Sequence, residues 1–114
     1  MRPTDRDGSV AARVLALSRR IASREKRSLF IGFCHAVALF SEEMEIEAAP
    51  FDLTLRESHG FIVSLSPLRE LFIVSLGEDR SFDVRVSSVE SFVGALDLVL
   101  THYLATRAKT SSAA

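Results

Sequence analysis

The chain has 114 residues, 47% of them hydrophobic and 25% charged, with a formal net charge of −1 at pH 7. That length fits one domain with a real core, and the near-neutral balance does not by itself imply a nucleic-acid partner, although charge is unevenly placed. The single cysteine, Cys34, excludes an internal disulfide and suits the cytoplasm or another reducing intracellular compartment, or simply a protein that needs no staple.

The longest apolar run, Leu29 to Phe40, carries Gly32 and His35 and falls short of the roughly 20 residues of a spanning helix. No signal peptide is visible, so a soluble protein without a membrane span is expected.

In chain order, residues 1–8 are polar and contain Pro3 and Gly8, and the C-terminal residues are small and polar. A flexible N-terminus over 1–8 and a flexible tail over 107–114 are therefore expected around one domain at 9–106. Residues 9–41 read as helical. Val10, Val14, Leu17 and Ile21 fall at i, i+4, i+7 and i+11 on one stripe, while Leu29, Phe30, Phe33, Val37 and Phe40 form a second stripe at helical spacing. At about 100° per residue the two stripes lie more than 90° apart. Either the helix breaks near Ser23 to Ser28, or one long helix shows two faces to two neighbours.

Met44, Ile46 and Ala48 then alternate with glutamates as in an edge strand that Pro50 interrupts. Beyond it, Phe51, Leu53 and Leu55 alternate with Asp52, Thr54 and Arg56. Ser58-His59-Gly60 suits a three-residue hairpin loop with Gly60 at the left-handed position. The pentapeptide Phe61-Ile62-Val63-Ser64-Leu65 recurs as Phe72-Ile73-Val74-Ser75-Leu76, and Pro67 predicts a type I turn closed by Ser66 opposite Leu71. That register sets Phe61 against Leu76, Val63 against Val74 and Leu65 against Phe72, with Ile62 facing Ser75 and Ser64 facing Ile73. A turn over Gly77 to Ser81 leads to a last strand in which Val84 meets Val74 and Val86 meets Phe72. Ser87 and Glu90 form a capping box for a helix over 88–106, whose Val89, Phe92, Val93, Leu96, Val99, Leu100 and Tyr103 make a wide stripe.

The expected fold class is α+β in two layers: N-terminal helical segments, a four-stranded antiparallel β-meander (strands about 44–57, 61–66, 71–76 and 82–86), and the C-terminal helix packed on one sheet face. Each strand offers three apolar side chains to the core, from Phe51, Leu53 and Leu55 through to Phe82, Val84 and Val86.

Chemistry is sparse. His35, His59 and His102 are scattered without metal-ligand spacing, and neither a nucleophile elbow nor a phosphate-cradling glycine loop is present. Glu42, Glu43, Glu45 and Glu47 read as a solvated edge. No catalytic residue, cofactor, metal or small-molecule substrate is assigned. Two binding surfaces are. The first is a protein interface, formed by Ile62, Ser64, Leu71, Ile73 and Ser75 on the outer face of the central hairpin and by Val10, Val14, Leu17 and Ile21 on the N-terminal helix. The second is a basic run, Arg19, Arg20, Arg24, Lys26 and Arg27, which suits phosphate contacts but lacks interleaved aromatics.

The function expected is a non-catalytic protein-protein interaction module, acting in dimerisation or as an adaptor, with a small RNA-binding protein as the alternative. In its order of elements alone, the layout is similar to the small domains that end kinetochore coiled-coil subunits and, more loosely, to bacterial secretion chaperones. That resemblance implies a chaperone-like or assembly role and transfers no residue.

Overall fold

The computed structural model describes residues 3–58, 60–80 and 82–113, with side chains from Val10 to Ala108. Met1, Arg2, His59, Ser81 and Ala114 lie outside the described residues, and with them the expectations for the outermost ends, the His59 loop position and the close of the Gly77 turn. The order of elements is α1 (Pro3–Ser18), α2 (Arg24–Ala38), β1 (Glu45–Ala48), β2 (Leu53–Arg56), β3 (Ile62–Pro67), β4 (Phe72–Leu76), β5 (Phe82–Val86) and α3 (Val89–Ala113). The class is α+β, with one antiparallel sheet in simple meander order β1-β2-β3-β4-β5.

Helix α1 already begins at Pro3, and α3 runs through 107–113. Proline is favoured in the first turn because its missing N–H is one of the donors a helix start leaves unpaired. The region 9–41 is two helices, not one. The chain leaves α1 after Ser18, and Ser23 restarts it as the N-cap of α2 by accepting the Lys26 N–H at 3.3 Å. Between them the Ala22 N–H donates to the Arg69 carbonyl at 2.8 Å, which ties the linker to the β3–β4 tip.

The sheet has five strands, not four. Pro50 lies in a turn in which the Ala49 N–H donates to the Asp52 carbonyl at 2.8 Å, so β1 folds back to pair with β2, Ile46 opposite Leu55. Proline, without a donor, is accommodated in a turn more easily than in a ladder. The β2–β3 hairpin has its expected register, Leu53 with Leu65 and Leu55 with Val63, and Gly60 takes a φ of 98° in the loop. The β4–β5 pairing also matches, with Phe72 opposite Val86 and Val74 opposite Val84.

The central hairpin is shifted by two residues. Val63 pairs with Leu76, Leu65 with Val74 and Pro67 with Phe72. Pro67 ends β3, and the Leu68 N–H donates to the Leu71 carbonyl at 2.8 Å, leaving Arg69 and Glu70 at the tip. The tighter loop adds a rung and sets two charged side chains in solvent, a combination hairpins favour over the longer loop. An even shift preserves which side chain points to which face.

The core face therefore survives the shift. Leu53, Leu55, Phe61, Val63, Leu65, Phe72, Val74 and Val86 are buried, and α2 and α3 cover them with Phe30, Phe33, Val37, Ala95 and Val99. Phe72 stands edge-on to Phe30 and Phe33 at centroid distances of 5.3 and 5.7 Å, and Phe33 likewise meets Phe92 at 5.4 Å. Phe51 and Phe82 are corrections: the first precedes β2 in the turn and is largely exposed, and the second begins the edge strand β5 and is half exposed. The cap of α3 is also displaced by one residue. Ser88, rather than Ser87, accepts the Ser91 N–H, and Ser91 Oγ in return accepts the Ser88 N–H, so Ser91 fills the role expected of Glu90.

Candidate functional site

The outer sheet face is built in rows. With the register as found, Glu47, Thr54, Ser64, Ser75 and Asp83 line up across all five strands. Ser64 and Ser75 pair at the centre and are buried. The two-residue shift moves Ile62 beside Gly77 and Ile73 beside Ser66, so these isoleucines stand four rungs apart, about 13 Å at 3.3 Å per residue. They are half-buried, as is Leu71, and do not form the continuous apolar patch that the first register implied. Arg80, at the tip between β4 and β5 with a φ of 53°, reaches Asp52 at the entry of β2 with an N···O distance of 2.9 Å. Sheet twist carries such diagonal corners towards one face.

The N-terminal stripe has a different fate. Val14, Leu17 and Ile21 are buried in the core and Val10 packs against it. Their apolar surface is covered by the chain's own α2 and β1 and presents no free face. Of the basic run, Arg19, Arg20 and Arg24 are exposed, Lys26 approaches Glu70 at 4.0 Å, and Arg27 Nε donates to the Ser23 carbonyl at 3.4 Å. They gather where the α1–α2 linker meets the β1–β2 and β3–β4 turns. The Arg20 guanidinium lies 4.8 Å over the Phe51 ring, which supplies an aromatic that no reading of the run itself contained.

The surface that the sequence did not single out lies on α3. Of its wide stripe only Val99 and Tyr103 are buried, beside Ala95, with Phe92 and Leu96 partly so. Val89, Val93 and Leu104 are each more than half exposed and Leu100 is 39% exposed. These four lie at i, i+4, i+11 and i+15, within an arc of about 60° on a helix turning 100° per residue, over about 22 Å of axis. The signal was the width of the stripe: an arc this broad exceeds what one helix buries against one sheet.

The C-terminal half of α3 also holds a buried polar cluster. The Glu57 side chain is 0% exposed. Arg107 Nη1 donates to Glu57 Oε1 at 3.3 Å and to the Tyr103 hydroxyl at 3.1 Å. That hydroxyl has one proton and two acceptors in reach, Glu57 Oε2 at 3.2 Å and the Phe40 carbonyl at 3.4 Å, and the charged, nearer carboxylate is the stronger partner. The bond to Tyr103 chiefly, with Glu57 and Glu43 adding to it, raises the Arg107 pKa above its usual value. Phe40 and Phe61 wall the cluster at 5.3 and 5.2 Å from the Tyr103 ring. Both carboxylate oxygens of Glu57 are matched internally, so the cluster acts as a clamp between the β2–β3 hairpin and α3.

His35 is exposed on α2, and the His102 ring rests 5.5 Å from Phe61 with its Nε2 buried and unpartnered. Among the described residues, no three His, Cys, Asp or Glu side chains are placed to hold a metal ion, and no helix is long and apolar enough to cross a membrane. Burial pushes the Cys34 thiol up to about 11, which suppresses the reactive thiolate. The folded value lies above the unfolded one, so this group's contribution is complete below pH 9 and is lost as pH rises towards 11. Over those two units the parent should lose roughly 2–3 kcal/mol more than Cys34→Ala does, measured by urea unfolding. Parallel pH profiles for the two proteins would show that Cys34 is not so buried.

Comparison with known protein families, with characterised proteins and with solved structures finds no match to this chain.

Proposed function

We propose that the chain is a non-catalytic protein-protein interaction module that pairs with a second copy of itself through the exposed face of α3. The observation that supports this reading is the spacing of the exposed aliphatics: intervals of four, seven and four residues, the same read from either end. A two-fold axis passing between Leu96 and Asp97 sets Val89 against the partner's Leu104 and Val93 against the partner's Leu100. The contact is self-complementary, as an isologous interface requires. The outer sheet face, with its isoleucines apart and its serines paired, offers less continuous apolar surface.

Replacing Val93 and Leu100 together by glutamate tests the reading. Both sites are exposed, so the circular dichroism spectrum should remain native. Light scattering should give the parent twice the 12.6 kDa of one chain at high concentration, and the double variant a single chain at every concentration. Equal masses for parent and variant would refute the pairing.

A further inference from the structure

We propose that the basic end of the fold binds single-stranded nucleic acid, with phosphate held by Arg13 and Arg20 and a base stacked on Phe51; this is independent of the pairing through α3. A cleft of about 430 Å³ opens between α1 and the β1–β2 turn, and Arg13, Leu17, Arg20, Ala48 and Pro50 are among its walls. No acidic side chain lines it, and among the described residues no carboxylate is ion-paired with either arginine.

The two guanidiniums are therefore free to offer their paired N–H groups to an oxyanion, and their fork geometry suits phosphate. Arg20 is already placed by its stacking on Phe51, 4.8 Å from the centroid. That stack uses one face of the ring, and Phe51 is still 67% exposed. An exposed aromatic face beside two unpaired arginines is the combination that single-stranded nucleic acid binds: phosphate on charge, base on ring. Arg19 precedes Arg20 on the linker and Arg24 opens α2, so positive charge continues away from the cleft, while the Ala22-to-Arg69 hydrogen bond at 2.8 Å brings Arg69, paired with Glu70 at 3.9 Å, to the same end. The near-neutral charge of the whole chain conceals this because the acidic residues Glu42, Glu43, Glu45 and Glu47 lie in and just before β1.

The test is fluorescence anisotropy of a short labelled uridine oligonucleotide with the full chain at low salt and then along a salt series. The parent should bind, and the logarithm of affinity should fall linearly with that of salt, with a slope of about −1.4 for two phosphates, at −0.7 for each. Arg13→Glu with Arg20→Glu should weaken binding at least tenfold, and Phe51→Ala about tenfold. All three positions are exposed and leave the fold intact, which circular dichroism checks. Uridine monophosphate, inorganic phosphate and a glutamate-rich peptide serve as competitors. The proposal is overturned if the parent does not bind at low salt, or if either variant binds as the parent does. It is equally overturned if the monophosphate binds as tightly as the oligonucleotide, or if the peptide or inorganic phosphate competes as well as unlabelled oligonucleotide.

Discussion

Phe72→Ala is expected to destabilise the fold by about 3–5 kcal/mol, the range for emptying a buried phenylalanine site. Phe72 is fully buried, pairs with Pro67 and Val86 on its two flanks, and meets Phe30 and Phe33 edge-on. Its ring thus joins the sheet to α2, and the surrounding side chains belong to different elements that cannot all close on the cavity. A denaturant midpoint measured on Phe72→Ala and on Phe82→Ala separates core from edge. Phe82, half exposed at the start of β5, should cost about 1 kcal/mol or less, as near-surface substitutions do. Similar losses at the two positions would contradict the packing described.

Tyr103→Phe is the second large effect, expected to cost about 1–3 kcal/mol. Volume is nearly unchanged, so the loss reports the hydroxyl alone. Without it, Glu57 Oε2 remains buried with its carboxylate held by Arg107 at one oxygen only. Adding Glu57→Gln should recover part of the loss, because the amide bears no charge to leave unmatched. A double-mutant cycle over the two positions should give a coupling of about 0.5–3 kcal/mol. Strict additivity would mean that the hydroxyl and the carboxylate do not interact.

Both effects trace to features that differ in how visible they are in the sequence. Strand periodicity carried most of the sheet: Leu53, Leu55, Phe61, Val63 and Leu65 at odd positions and Phe72, Val74 and Val86 at even ones point inward because alternation leaves no other arrangement that buries them. Glu57 shares the parity of Leu53 and Leu55, and that is the signal by which its burial could have been found. Its partners could not be, since Tyr103 and Arg107 lie 46 and 50 residues away. The shift of the central hairpin was hidden because Pro67 fits a turn by its local preference, whereas the pairing also rewards the extra rung that places it at the end of β3.

The candidate surfaces follow the same division. The two-residue shift left every core assignment intact yet separated Ile62 from Ile73, because side-chain parity survives an even slip and neighbour identity does not. The stripe on α3 was legible as apolar, but which part of it the sheet covers depends on where the helix settles over β4 and β5. The split between Val99, inside, and Val93 and Leu100, outside, is a tertiary fact.

Pairing through α3 is tested most directly by directed cross-linking. Val93→Cys and Leu100→Cys are made separately in a Cys34→Ala background, mixed, and oxidised. In the antiparallel two-fold arrangement, position 93 of one chain meets position 100 of the other, whereas like positions stand seven residues apart, about 10 Å along the axis. The expected result is a covalent dimer in the mixture and little in either variant alone. No covalent dimer in the mixture, or equal yields from the single variants, would contradict the arrangement.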